Sequence, residues 1–496
     1  MAKGWVRALT IERLAFWILF ILLFALAVRV PLDTDTWWHL RAGGQFLDTG
    51  ELVRQDTYSY TQNGETWINH SWGGQAIMTL VYRATGGNHT TLDSGAVGLA
   101  LFTATLGTLG MGLVYRMGTG TVYSRSFVLV IGAATAAVFW SPRPQMFTFF
   151  LSALVLYVLY LYKWRGRAVL WALPIITLVW VNLHAGYIAA FIIIMGFVIG
   201  EAFGNVLDRQ DSLGWRPLGR LLLFTGLAAL TLVINPYGPR MWVYPFETAG
   251  LQTLNLFISE WQSPNFKQIS LLPFVLMLFG LIGFGGLTRA RIAWSDLSLV
   301  CGMLFLALWA GRNIALFALV ATPVLMRQVD TFLTERGWQV RPVKQVRGFR
   351  LVLNWALLGL ILLAAAAKIV SDLQPQNVRD LQAEVFPLDA LAYIDQQGPS
   401  GNMLNDYNWG GMLIFTQPDR PVFVDGRTDL YGDEFLGDYF AAYLGTSDWQ
   451  TIFETYDITW AFLPDESALT TLLREDPAWQ VVYEDAQAAI LEQRTP

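Results

Sequence analysis

Over roughly the first three quarters of the chain, apolar residues come in long unbroken runs separated by short polar intervals; over the last quarter the runs are short. A run of about 17 to 22 apolar residues covers roughly 30 Å of hydrocarbon at about 1.5 Å per residue, so each long run is a candidate membrane-spanning helix. They fall near 14–30, 94–115, 124–140, 146–162, 168–184, 186–204, 219–235, 270–287, 294–310, 313–327 and 351–370. The pattern predicts a transmembrane domain of about eleven helices over 1–372. Between the first two runs, 31–92 breaks the pattern. Apolar residues recur there at helical spacing over 38–47 and 73–82, stretches too short to cross and suited to helices lying in the interface.

Beyond 372 the period changes. Runs of strand length, Thr459-Trp-Ala-Phe-Leu463 and Trp479-Gln-Val-Val-Tyr483, alternate with helix-like stretches at 387–397, 449–456 and 467–474. That alternation predicts a small α/β domain over 375–496 with a largely parallel sheet. The fold class is therefore an α-helical polytopic membrane protein with a C-terminal extracytoplasmic α/β domain. There is no internal repeat, and 328–350 reads as a basic cytoplasmic linker.

Composition agrees with the pattern. Of 496 residues, 54% are hydrophobic and only 14% charged, with mean hydropathy +0.41, whereas soluble domains run near a quarter charged. A net charge of −5 argues against a nucleic-acid partner. The single cysteine, Cys301, excludes an intrachain disulfide framework. The 21 Trp and 18 Tyr suit a membrane interface. Lys3, Arg7 and Arg13 ahead of a run ending Ala25-Leu-Ala27 fit a signal peptide as well as an anchor, and a retained anchor is expected.

The placement of Lys and Arg orients the chain, because short loops rich in them stay cytoplasmic. Lys3, Arg7 and Arg13 put the N-terminus inside, followed on that side by Lys163, Arg165 and Arg167, by Arg209, Arg216 and Arg220, and by Arg289 and Arg291. The densest cluster, Arg327, Arg336, Arg341, Lys344, Arg347 and Arg350, joins them. With an odd number of spans the C-terminal domain lies outside. So do the unusual polar motifs: 33–72, Ser141-Pro-Arg-Pro-Gln145, Asn182-Leu-His184, Asn235-Pro-Tyr-Gly238 through 266, and Gly311-Arg-Asn313. The orientation used none of those motifs, so their gathering on one face is a second pointer to an outward-facing site.

The stretch Pro31-Leu-Asp-Thr-Asp-Thr-Trp-Trp-His-Leu40 holds the first candidates. Carboxylates at a membrane boundary are costly to desolvate and persist when paired, metal-bound or functional. Asp35 or Asp33 in a water-poor pocket could act as a general base, and two acids at i, i+2 could share a divalent cation such as Mg or Mn through oxygen ligands. Alternatively, Asp35 caps the interfacial helix. The four histidines, His39, His70, His89 and His184, all fall on the outer side, without the spacing of a dedicated zinc site. His39 and His89 read as structural; His70 and His184 are binding candidates. Arg143, Arg240 and Arg312 defy the positive-inside tendency, and their fork geometry matches phosphate or carboxylate. A lipid phosphate or diphosphate is one partner; an internal acid, Glu260, Asp33 or Asp35, is the other. Gln145, Tyr237 and Asn313, in the same outward motifs, join Glu260 as substrate-binding candidates. In the C-terminal part, Asn405-Asp-Tyr-Asn-Trp-Gly-Gly411 and Val424-Asp-Gly-Arg-Thr-Asp-Leu-Tyr431 are polar clusters. Asp425, Arg427 and Asp429 would sit at the end of a strand over 421–424, either as a site or as ion pairs fastening the domain to the membrane part, and the fastening role is preferred.

A first span, an acidic motif, an interfacial helix ending in Thr49-Gly50, a second interfacial helix and a second span resemble the GT-C membrane glycosyltransferases. Within them the chain looks most like the branch of protein O-mannosyltransferases and lipid A aminoarabinose transferases, glycosyltransferase family 39-like, and a bacterial group attached to it. The wording Asp-x-Asp-x-Trp-Trp-His-Leu, Arg-Pro-Gln, Asn-Leu-His, Asn-Pro-Tyr-Gly and Asp-Gly-Arg-Thr-Asp carries the resemblance. Matching on Thr49-Gly50 puts Asp35 on the family's catalytic Asp. Thr36 stands where the family has Glu, leaving Asp33 as the second acid, and Ser71 stands after His70 where the bacterial group tends to have Glu. The resemblance implies an inverting transferase that moves a sugar from a polyprenyl-phosphate-linked donor to an extracytoplasmic glycan, lipid or protein acceptor. Its setting would be an inner or plasma membrane, among membrane lipids. Arg143, Arg312 and His184 would then hold the lipid phosphate, and Asp33 or Glu260 would orient the acceptor or a divalent ion. The competing reading is a non-catalytic membrane protein that binds, moves or scaffolds lipid-linked glycans in envelope assembly.

Overall fold

Among the described residues, seven helices are long and apolar enough to cross a membrane: Ala96–Met117, Val122–Phe139, Gln145–Arg165, Ala185–Leu207, Ile269–Leu287, Gly311–Glu335 and Phe349–Asp372. The computed structural model describes residues 9–88, 91–207, 209–289, 291–338, 346–446 and 448–494. Lys3, Arg7, His89, Arg341 and Lys344 lie outside them. The remaining expected spans coincide with shorter helices, Ile11–Ala27, Ala172–Val181, Trp215–Thr231 and Trp294–Trp309. The run expected over 168–184 ends early because the Asn182 amide turns back to donate to Leu178 O at 2.9 Å, and the chain bends at His184.

The chain divides into two compact units. The first comprises Met1–Arg29, Ala100–Pro245 and Ser259–Asp372. Its helices pack in pairs, Trp294–Trp309 on Ile188–Leu207, Ile314–Glu335 on Val122–Ala136, and Phe349–Asp372 on Ile11–Ala27. Buried charges fasten helix ends. Lys163 Nζ donates to Glu201 Oε1 at 2.5 Å and Ser295 Oγ at 2.9 Å, and Arg327 meets Asp296 Oδ2 at 2.6 Å. Lys368 closes the end of Ile11–Ala27 by donating to the carbonyls of Ala25 and Val28 at 2.7 and 2.8 Å, which supplies acceptors orphaned at a helix C-terminus with a cation.

The second unit comprises Val30–Leu99, Phe246–Ile258 and Leu373–Pro496, so the segment between the first two expected spans is built together with the C-terminal portion. The two interfacial stretches form the helices Thr36–Thr49 and Trp72–Ala84, packed on each other. The first stops at Gly50, whose φ of 74° is the left-handed cap that glycine favours. A third helix, Gly410–Thr416, lies on Thr36–Thr49. Gly411 permits this approach, since a methyl there would come within 2.6 Å of the Thr34 carbonyl oxygen.

The strands are β1 Asn402–Asn405, β2 Ile458–Pro464, β3 Trp479–Glu484 and β4 Ala488–Gln493, in the order β1-β2-β4-β3. β1 pairs with β2 in parallel, but β2–β4 and β3–β4 are antiparallel, which corrects the expected largely parallel sheet. The cause is local. Asp485 Oδ1 accepts the N–H groups of Gln487 and Ala488 at 2.8 and 2.9 Å, which folds 488–493 back as a hairpin. The helices expected near 387–397, 449–456 and 467–474 appear as Leu388–Gln397, Trp449–Thr455 and Ala468–Glu475. The expected strand over 421–424 is not one; Val422 makes an isolated parallel bridge to Ser59. The short segment Phe246–Ile258 is tied in by Asp433, which accepts the N–H groups of Gln252 and Thr253 at 3.0 and 2.9 Å, and by Phe257 stacked on Phe440 at 4.3 Å.

Candidate active site

In the second unit, Thr36–Thr49 begins at Asp35, so Trp38 lies about one turn further on and on the same side. Its indole N–H donates to Asp35 Oδ1 at 3.1 Å. Asp35 occupies the cap position, yet its side chain makes no capping bond. Asp33 plays that local part instead, its Oδ1 accepting the Asp35 N–H at 3.0 Å. The capping alternative for Asp35 therefore fails, and the two acids separate in role. Asp33 shapes the turn, while Asp35 turns its carboxylate to an indole in a half-buried setting.

The segment after 424 runs against that carboxylate. A methyl added at Gly426 would overlap Asp35 Oδ1 and lie 3.0 Å from Asp35 Cγ and 3.4 Å from the Trp38 indole nitrogen. The flanking residues are locked. Arg427 donates from Nε to Asp425 Oδ1 at 2.8 Å and from a terminal nitrogen to Asp425 Oδ2 at 2.7 Å. Its other terminal nitrogen reaches Asp56 Oδ1 at 2.6 Å. Tyr431 donates to Asp425 Oδ2 at 2.7 Å, and Asp56 accepts the N–H groups of Tyr58 and Ser59, both at 3.1 Å. The guanidinium also lies 5.0 Å from the ring centres of both Tyr58 and Trp67. All three ionic side chains are fully buried. Burial alone would lower the Arg427 guanidinium, but Asp425, followed by Tyr431 and Asp56, outweighs it and holds it well above its ordinary value. Asp425 and Arg427 are ion-paired as the fastening alternative has it, but the pairs run within the second unit, to each other and to Asp56, and not to the membrane part. Asp56 escaped sequence reading, and the only signal it offers is the turn wording Asp56-Thr-Tyr-Ser59.

His39 and His70 lie in the same unit. His39 Nδ1 meets the Gln75 amide at 3.2 Å, and Gln75 Oε1 accepts from Asn69 at 2.8 Å, a structural chain as expected. His70 is half-buried just before Trp72–Ala84. For a divalent cation the donor set is thin. Asp33 Oδ1 and Asp35 Oδ1 already accept N–H bonds, and among the described residues no three His, Cys, Asp or Glu side chains gather as ligands, whereas Mg or Mn wants about six oxygens. Among the described residues these side chains do not complete a cage.

In the first unit, Arg143 and Arg312 converge on Glu260. Arg143 donates to Glu260 Oε2 at 3.2 Å and to Gln145 Oε1 at 2.9 Å; Arg312 lies 3.5 Å from Glu260 Oε1 and 4.3 Å from the centre of the Trp261 ring. Gln145 is held in turn, donating to Ser141 Oγ at 2.9 Å. Burial alone would raise the Glu260 carboxyl, but Arg143 and Arg312 outweigh it and keep it below its ordinary value. Asn313 is turned to the helix, donating to Leu306 O at 3.1 Å, and Arg240 is exposed.

His184 is oriented by its neighbours. Its Nδ1 accepts the Gly186 N–H at 3.0 Å and meets Thr148 Oγ1 at 2.8 Å, while Thr148 Oγ1 itself accepts from the Trp180 indole at 3.0 Å. With Nδ1 accepting, the ring proton resides on Nε2. Asn182 and Asn235 brace their two motifs against each other, Asn182 donating to Ile234 O at 2.9 Å and Asn235 to Val181 O at 2.8 Å. Tyr237 follows, its N–H on Asn235 Oδ1 at 3.0 Å.

No protein-family profile matches the chain, and no curated protein does. Solved structures do. The Archaeoglobus fulgidus oligosaccharyltransferase AglB, in complex with an inhibitory peptide and a dolichol-phosphate, is similar at TM-score 0.54 and 13% identity, over 91% of this chain and 69% of that one. ArnT from Cupriavidus metallidurans bound to undecaprenyl phosphate matches at TM-score 0.50 and 13% identity, over 99% and 98% of the two chains. The mycobacterial arabinofuranosyltransferase AftD matches at TM-score 0.50 and 13% identity, over 99% of this chain and 40% of that one. The chain has the fold of the GT-C membrane glycosyltransferases.

Proposed function

We propose that this protein is an inverting glycosyltransferase that passes a sugar from a polyprenyl-phosphate-linked donor to an acceptor hydroxyl on the extracytoplasmic side of its membrane. The observation that carries the proposal is the Asp35 carboxylate, which stands at a helix start without capping it and accepts an indole N–H from Trp38. In the reaction, the acceptor oxygen attacks the anomeric carbon and its proton passes to Asp35. The bond from that carbon to the phosphate oxygen breaks, and polyprenyl phosphate leaves. Arg143, Arg312 and His184 are assigned to the lipid phosphate on the resemblance alone, two guanidinium forks and an imidazole being groups that suit such an anion. Two solved proteins of this fold bind polyprenyl phosphates, dolichol-phosphate in one and undecaprenyl phosphate in the other, which supports the donor class. The N-terminus is assigned to the cytoplasm and the C-terminal unit to the outside, as the Lys and Arg pattern requires.

The test is transfer by purified protein from radiolabelled polyprenyl-phosphate sugars to extracted envelope acceptors. Asp35→Asn should lower the rate at least ~100-fold, the scale of a lost general base. Transfer by that variant at the normal rate removes the mechanism. A second reading, a non-catalytic protein that binds or scaffolds lipid-linked glycans, draws support from Glu260, because both outward arginines already have an internal anion. In that case the native protein retains a co-purifying lipid-linked glycan and never turns it over, with Asp35→Asn indistinguishable from it.

A further inference from the structure

We infer that Gly426, clamped by the Asp56–Arg427–Asp425 network, is a positioning residue that holds the Asp35 carboxylate in its working orientation. The inference rests on the transfer reaction proposed above and adds to it a part for the C-terminal segment.

Three observations converge. The backbone at 426 passes so close to Asp35 that a single methyl would overlap Oδ1, and the next nearest atoms it would meet belong to Asp35 and Trp38. Gly426 does not have the positive φ that excludes a side chain, so its lack of one answers to the space in front of it and not to the backbone. The residues on either side are tied by a fully buried, bidentate Arg427–Asp425 pair, and Asp56 anchors the same guanidinium to the first outer loop. The segment is thus a tied wall that meets the Asp35 carboxylate and the Trp38 indole together, at the point where the two are hydrogen-bonded. A carboxylate oxygen that accepts an indole N–H while a tied backbone abuts it has little room to move, and a general base has to present its oxygen to the acceptor within a few tenths of an ångström. Gly426 touches no reacting atom in this scheme; it acts through Asp35.

Gly426→Ala is the test, with the full chain in detergent or nanodiscs. Displacing Asp35 by about 1 Å should lower kcat roughly 100-fold while the donor KM changes less than about threefold. The acidic limb of the kcat/KM profile should move to higher pH, because a carboxylate pushed off the Trp38 indole loses a bond that favours its charged form. A stability cycle reads the contact without any assay of transfer: Gly426→Ala should lower the thermal midpoint when Asp35 is present and leave it unchanged in an Asp35→Ala background. An equal drop in both backgrounds, or normal kcat and an unmoved limb in Gly426→Ala beside an inactive Asp35→Asn, overturns the positioning role while the transfer reading stands. Normal transfer by Asp35→Asn brings down the transfer reading, and the positioning role with it, even if the cycle shows coupling.

Discussion

Replacing Arg427 with Met keeps most of the side-chain volume and removes the one cation from a fully buried set of three charges. Asp425 would lose a bidentate partner and Asp56 its ionic one, leaving two buried carboxylates whose compensation is the Tyr431 hydroxyl, the Ser59 hydroxyl and backbone N–H groups. Removing one partner of a buried pair costs about 3 to 5 kcal/mol, most of it the penalty on the charge left behind. For a unit of about 200 residues, each kcal/mol moves the midpoint by about 2 to 4 °C, so a drop of about 6 to 20 °C is expected in the unfolding of the second unit. The assay is thermal unfolding in detergent followed by protease sensitivity of 373–496. A triple variant, Asp56→Asn with Asp425→Asn and Arg427→Met, separates orphaned charge from lost packing. It should recover more than half of the single variant's loss, because no charge remains to be desolvated. An Arg427→Met midpoint within about 1 °C of the native protein would refute the view that these charges compensate one another in a dry interior. A triple variant no better than the single one would move the cost to packing against Tyr58 and Trp67.

Further outcomes follow from groups whose titration is displaced. Glu260 is held below its ordinary value of 4.5, so its pairing contributes stability that is fully present above the unfolded-state value and is lost as pH falls through the lower folded one. The midpoint difference between native and Glu260→Gln protein should therefore be constant at neutral pH and vanish only in acid below 4.5; a difference already gone at pH ~6 would contradict the pairing. Asp433 is held below 3.8 by the N–H and hydroxyl of Thr253. Its anchoring of Phe246–Ile258 should survive to the same acid range, and Asp433→Ala should speed proteolytic nicking in that segment at neutral pH. Nicking unchanged by the substitution would show that Phe257 on Phe440 suffices. Replacing either Arg143 or Arg312 by Gln should raise the donor KM about tenfold or more with a smaller change in kcat, and equal KM values would place the lipid phosphate elsewhere.

What the sequence revealed follows the range over which its signals act. The two interfacial helices were legible because apolar spacing and the Thr49-Gly50 stop are local, and Thr36–Thr49 and Trp72–Ala84 lie where the pattern puts them. Glu260 could be offered as a partner for Arg143 and Arg312 because charge in an apolar setting demands a counter-charge. By contrast, Asp56 pairs with an arginine 371 positions away, and no periodicity carries that information. The antiparallel β4 was missed because 484–493 carries no Gly or Pro; the turn is built instead from the Asp485 carboxylate and the backbone N–H groups that donate to it. Gly426 looked like ordinary turn chemistry in Asp425-Gly426, and only the approach of Asp35 gives it a different reason.

The separation of Asp56 from Arg427 also has a consequence in time. A ribosome adding about 5 to 20 residues per second needs roughly 20 to 75 s to travel the 371 positions between them. Throughout that interval the nascent first outer loop holds an acid and a cluster of aromatic rings, Tyr58 and Trp67 among them, whose partner has not been made. Residues 30–99 cannot reach their final packing before 425–427 emerge, so the loop that bears Asp35 matures late, though it is among the earliest parts to be synthesised. A chaperone-binding phase confined to that window, ended by release of Arg427 from the ribosome, would be its signature in a stalled-chain experiment.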